Sequence, residues 1–220
     1  MRTHHARWIL LPTLFFAALI TLAQTAGNPF DTLVIRRYWN PVVGAGAVYE
    51  VTNPNGRKHT EEFDIFSEEK EEGKTAYWLG FAEESSDLKG KVYVKTLVIP
   101  EGFEARKLII QFPGKAAMEM PVQPSPQIPK EDPKSAPKLV GTESITVPAG
   151  TFECEHWRYV DNSETWLSAK VAPVKVVKSA SKDETRVLVK TISHAKDYIT
   201  GPIKPFDPEA IQKLSQPQSK

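Results

Sequence analysis

Cys154 and His156 stand two residues apart, a spacing that turns both side chains to one face of an extended strand. With His59 and His194, the other histidines beyond residue 26, a thiol and an imidazole so placed are raw material for a Cys/His metal site. Phe152, Val160 and the stem of Arg158 share that stretch, and such neighbours favour a small buried thiol beside a hydrogen-bonded histidine. A nucleophilic Cys154 would need exposure and a lowered pKa, which a strand interior near Phe152 and Trp157 does not suggest.

Other chemical patterns are thinner. Gly44-Ala45-Gly46 imitates part of a dinucleotide loop, but it lacks the third glycine and precedes a strand where a helix is required. Glu68, Glu69, Glu71 and Glu72 could be drawn as an acid/base pair, yet like charges running into Gly73 read more simply as a solvated turn. No G-x-S-x-G elbow is present. The residues therefore imply no cofactor and no catalytic centre, and a hydrolase would have to assemble its site from scattered positions.

The aromatic residues are more informative. Tyr77 and Trp78, Tyr93, Trp157 and Trp166 fall on several predicted strands, where successive side chains face opposite sides. Most must serve the core. On a curved sheet, Trp78, Tyr93 and Trp166 are the candidates to line an apolar groove that holds an acyl chain or another extended ligand.

These side chains need strands to carry them, and the turn signals supply the strand boundaries. Ala47 to Thr52 leads into Asn53-Pro54-Asn55-Gly56, a hairpin cue, and returns as Lys58 to Phe66, where Phe63 and Ile65 alternate with Glu62 and Asp64 as a buried and a wet face. Strands are expected at Thr75 to Ala82, Lys91 to Ile99 and Ala105 to Phe112, and after the proline-rich stretch 121–137 at Gly141 to Val147, Phe152 to Val160, Glu164 to Leu167, Val174 to Ser179 and Thr185 to Ser193. A short helix is expected at Pro208 to Leu214. About ten strands with little helix predict a single antiparallel curved sheet or half-barrel over 27–205, ahead of a polar tail at 206–220.

The stretch GTESITVPAGTFECEHWRYVDNSETWLSAKVAPVKVVK at residues 141–178, with PVVGAGAVYEV at 41–51 and DYITGPIKPFDP at 197–208, resembles a family of exported bacterial β-proteins that carry a VPAGTF turn and have no assigned activity. The second half is also similar to periplasmic half-barrel domains of unknown function related to lipoprotein carriers. That resemblance implies an envelope location and a lipid-like ligand. Independently, Pro148 ends a strand and Gly150 can take a positive φ, so the motif marks a corner of the fold.

Arg2 and Arg7 precede an apolar run from Trp8 to Ala23 and a small-residue zone with cuts after Ala23 or Ala26, so residues 1–26 read as a cleaved signal peptide. The expected location is periplasmic or secreted, with no membrane span left after cleavage. The whole chain has 28 Lys and Arg against 27 Asp and Glu, so losing Arg2 and Arg7 leaves a near-neutral surface without the basic footprint of nucleic-acid binding. Cys154 is the single cysteine, and no intramolecular disulfide can form. The expected function is non-enzymatic binding of an apolar or lipid-like ligand; the alternative is a cell-envelope scaffold that binds another protein through sheet edges or the proline-rich loop.

Overall fold

The computed structural model describes residues 37–85, 90–101, 103–122 and 136–208. The expected signal peptide at 1–26, most of the proline-rich stretch and most of the helix at Pro208 to Leu214 lie outside the described residues. The strands are β1 (Gly46–Thr52), β2 (Lys58–Glu71), β3 (Lys74–Ser85), β4 (Gly90–Ile99), β5 (Glu104–Gln111), β6 (Ala117–Met120), β7 (Lys138–Val147), β8 (Gly150–Arg158), β9 (Glu164–Leu167), β10 (Val176–Ala180), β11 (Thr185–Ile192) and β12 (Ile203–Lys204). They form one open, curved, mainly β sheet in the order β12-β6-β5-β4-β3-β2-β1-β11-β10-β9-β8-β7, so two meanders meet where β1 pairs with β11. All neighbours are antiparallel except β12 against β6.

The hairpins follow from their turn residues. Asn53 N–H donates to the Arg57 carbonyl (2.9 Å) and Gly56, at φ 78°, closes the β1–β2 turn. At the β7–β8 corner Val147 pairs directly with Gly150, which takes φ 131°. Asp161 accepts from the backbone N–H of Ser163 (3.0 Å), with Asn162 at φ 65° between them, and so turns β8 into β9.

Three expectations on the first half need correction. The acidic run is not a loop: β2 continues to Glu71 and only Glu72-Gly73 turn, because Lys107 meets Glu69 (3.8 Å) and Arg106 meets Glu72 (2.7 Å) across the ribbon. β6 and β12, four and two residues long, bring the strands to twelve where about ten were expected. The face that carries Glu62 and Asp64 is also not wet, since Asp64 is only 1% exposed.

Cores form on both halves. In the second, Tyr49, Cys154, Trp166, Leu167, Val171, Val177 and Leu188 pack together, and the Tyr49 hydroxyl donates to the Val176 carbonyl (2.9 Å). β7 also touches β10 and β11, so this half curls strongly on itself. In the first half, Trp78 and Tyr93 pack with Ile109, Ala117 and Ile199. Residues 193–202 supply Ile199 and run from the end of β11 to β12 beside β6, crossing the intervening strands as a strap.

Candidate functional site

A half-open cleft of about 490 Å³ lies on the curled half, lined by Arg37, Thr142, Glu153, Cys154, Glu155, Leu167, Ala169 and Lys175. Its size is that of small-ligand sites. Residues 38–40 place its basic side by adding a short antiparallel stretch: the Lys175 N–H donates to the Tyr38 carbonyl (2.7 Å), Trp39 bridges Val174, and the Asn40 N–H donates to the Pro173 carbonyl (2.8 Å). This sets the Arg37 guanidinium 4.0 Å from the Trp157 ring. Its Nη1 is shut away from water without a hydrogen-bond partner, an arrangement that leaves a cationic donor free for an anionic group. Glu155 accepts from the Trp157 indole N–H (3.0 Å), while the buried Leu167 and Cys154 form an apolar floor.

His156 stands at the centre of a separate polar ring. Its imidazole stacks on Trp166 with ring centres 4.4 Å apart and planes at 18°. Glu143 Oε1 lies 3.0 Å from His156 Nδ1 and accepts from the Trp166 indole N–H at 2.7 Å. Glu164 lies 3.4 Å from His156 Nε2 and accepts from Arg158, whose hydrogen bond holds the Glu164 carboxyl below its ordinary range. Lys178 stands 4.8 Å from the Trp166 ring. Carboxylates thus face both ring nitrogens, an environment that fixes the imidazole in place.

The structure does not bring the four cysteine and histidine candidates together. The Cys154 thiol donates to the Phe152 carbonyl (3.4 Å), and burial, then Glu153 and Glu143, push its pKa up to about 11. His59 faces Glu61 (3.4 Å) on β2, and the hydrogen bond with that carboxylate raises its pKa. His194 lies on the strap against the Ser193 carbonyl. Among the described residues no group of three or more His, Cys, Asp or Glu is placed to hold a metal ion.

The aromatic candidates divide between the halves. Trp78 and Tyr93 share one apolar cluster, where Tyr198 packs on Tyr93 (4.9 Å between centres) and the Lys95 ammonium stands 4.9 Å from the Trp78 ring. Trp166 lies on β9, several strands away, and is 7% exposed. The strap therefore occupies the face that Trp78 and Tyr93 line.

Sequence reasoning did not single out the carboxyl pair under that strap. Asp64 lies between Gly46 of β1 and Gly80 of β3. A Cβ at Gly46 would come within 1.8 Å of Asp64 Oδ1, and one at Gly80 within 2.2 Å of the Phe66 ring. Neither Asp64 oxygen accepts a hydrogen bond from a donor, and burial, then the neighbouring Glu62 charge, raise its pKa to about 7. Glycines inside strands are the one sequence signal of this close approach.

No protein-family model matches the chain, and no curated protein matches it. Solved structures that match include a chain assigned as a lipoprotein from Parabacteroides distasonis, 14% identical, with a TM-score of 0.39 over 70% of this chain and 97% of the other. Another is a chain assigned as an exported protein with a YmcC-like fold from Bacteroides fragilis, 10% identical, with a TM-score of 0.38 over 70% and 98% of the two chains.

Proposed function

We propose that this chain is an exported, non-enzymatic binding protein that holds a lipid-like ligand with an anionic end in the cleft between Arg37 and Ala169. One observation carries the reading: the Arg37 guanidinium rests on Trp157 above an apolar floor, with Nη1 shielded and unpartnered. Desolvating a donor without a partner costs roughly 1–3 kcal/mol, more for a charged group, and an incoming carboxylate or phosphate would recover it. Leu167 and Cys154 would take the first carbons of an apolar tail. The raised pKa of Cys154 keeps the thiol protonated at neutral pH and supports a lining role.

Native mass spectrometry of the mature chain from about residue 27, followed by organic extraction, tests this reading. The expected result is a stoichiometric amphiphile or, for an emptied chain, saturable uptake of a fatty-acid carboxylate. Ala169→Trp would fill the cleft from its exposed rim without entering the core and should abolish uptake; Arg37→Glu should weaken it at least tenfold. An empty mass together with no uptake would refute the reading.

One observation favours a second reading, a protein-binding scaffold. β7 is an edge strand with Leu139 53% and Val140 50% exposed, and Val160 beyond β8 is 68% exposed. An edge strand with apolar side chains and unpaired backbone groups can accept a partner strand. A Val140→Lys change that eliminates a co-purifying protein and leaves fatty-acid uptake intact would select this reading.

A further inference from the structure

Asp64 and Glu62 are alternate residues of β2 and turn to the same side of the sheet. Neither Asp64 oxygen has a donor within reach, so a hydrogen bond between the two carboxyls exists only when one of them carries a proton. The backbone beneath cannot shift to relieve a second negative charge, because the ladders to β1 and β3 hold β2 on both sides. The cover above is slighter. Phe66 and Tyr198 meet edge-on with ring centres 4.8 Å apart, the Tyr198 ring lies over Gly80, and its hydroxyl donates to Glu62 (3.4 Å).

The charged and titratable neighbours can be named strand by strand. On β1, Glu50 lies farther along and is bound to Lys58 (2.8 Å). On β11, Lys190 is paired with Val48. On β3, Gly80 and Ala82 oppose the pair, and Glu84 is paired with Lys91 of β4. Lys91 forms its ion pair with Glu62 (3.5 Å), and its charge lowers the Asp64 pKa by less than burial and Glu62 raise it, while Lys95 of β4 is taken by Asp197 and Tyr93 packs on Tyr198. The strap itself brings His194, Lys196, Asp197 and Tyr198, and none of these donates to Asp64.

We propose that residues 193–202 are a proton-operated strap: closed while Glu62 and Asp64 share a proton, and lifted at Tyr198 when that proton is lost, which uncovers the Trp78–Tyr93 face. The anchors suit such motion. Besides Tyr198 they are the Ala195 N–H to the Gly44 carbonyl (2.8 Å), the Lys95–Asp197 ion pair, buried Ile199 and the two-residue pairing of β12 with β6. Lifting at Tyr198 admits water to the pair without breaking a ladder of the long strands. The titration of Asp64 near neutral pH sets the range in which the strap responds.

Hydrogen exchange of the mature, full-length chain at pH 5.5 to 8.5, corrected for intrinsic rates and read by mass spectrometry, tests the proposal. Peptides covering 193–204 should be protected at pH 5.5 and lose protection about tenfold for each pH unit above the transition, while 185–192 and 164–180 stay protected. Asp64→Asn should hold the strap closed throughout; if that variant does not fold, Glu62→Gln should shift the transition and flatten it, since it removes the like-charge neighbour and leaves only the burial of Asp64. Strap protection independent of pH in the wild type, loss in step with 185–192, or the same pH response in the folded variant would each overturn the proposal.

Discussion

Replacing Asp64 with asparagine should make the protein more stable at pH 8 and leave it nearly unchanged at acid pH. The carboxyl has an ordinary value of 3.8 and rises to about 7 in the fold. The folded chain therefore keeps a proton that the unfolded chain gives up, and the associated stability is complete below about pH 3.8 and lost as pH rises through about 7. A difference of about 3 units at 1.36 kcal/mol each sets an upper bound of roughly 4 kcal/mol for the penalty above pH 7. If the strap lifts at a smaller cost, the measured penalty stops at that cost, so about 2–4 kcal/mol is expected. Urea unfolding followed by far-UV dichroism at one-unit steps from pH 4 to 9 measures it, with urea chosen because it adds no salt. The wild-type curve should descend across this range, and the Asp64→Asn curve should run flatter and rise above it on the alkaline side. Parallel curves, or a variant less stable at every pH, would refute the reasoning that Asp64 is a charge without a partner.

Three further outcomes follow from the same contacts. Gly46→Ala places a methyl 1.8 Å from Asp64 Oδ1 and 2.9 Å from the Phe63 carbonyl and should cost more than about 2 kcal/mol in the same assay, with only the side-chain part of the loss recovered in the Gly46→Ala/Asp64→Ala double variant. Iodoacetamide at pH 8 should leave Cys154 unmodified in the folded chain and alkylate it fully in 8 M urea, about the usual denaturing strength, because the thiol is 1% exposed with a raised pKa. Arg186→Met removes the guanidinium 2.9 Å from Glu61, which is 8% exposed, and should destabilise by about 2–3 kcal/mol. The variant then depends more on His59, whose raised pKa gives stability that is present at low pH and lost as pH rises, so its unfolding midpoint should fall more steeply between pH 6 and 8, roughly the imidazole range, than that of the wild type.

Local signals in the sequence account for most of the strands. Asn55-Gly56, Pro148 to Gly150 and Asp161 to Ser163 each punctuate a hairpin, and the strands between them carry the β-branched and aromatic residues expected of a half-buried surface. Ala117–Met120 is too short and too rich in methionine to show a period, and Ile203–Lys204 owes its pairing to β6 alone. The candidate sites were harder to read for a different reason. The alternation of Phe63 and Ile65 with Glu62 and Asp64 describes one strand correctly, but it carries no record that Tyr198, more than a hundred residues later, covers the polar side. Arg37 gave no signal of its own either, since its place over Trp157 depends on the pairing of residues 38–40 with 173–175. Trp78, Tyr93 and Trp166 were visible as large rings on strands; that the first two share one cluster while the third lies several strands away in another is a property of strand order.

The junction of β1 with β11 has a consequence for how the chain is made. Each meander can grow by adding the next hairpin, because its neighbours are neighbours in sequence, but Tyr49 reaches its place opposite Leu188 only when the eleventh strand has been synthesised. Contacts of such long sequence separation close late and slowly. During synthesis, with the amino-terminal end emerging first, β1 would wait as an open edge with buried-type residues Ala47, Tyr49 and Val51 exposed beside it. An unpaired strand of that composition is an aggregation hazard while it waits. The interval between emergence of residue 52 and arrival of residue 185 is the period in which this sequence most needs a chaperone.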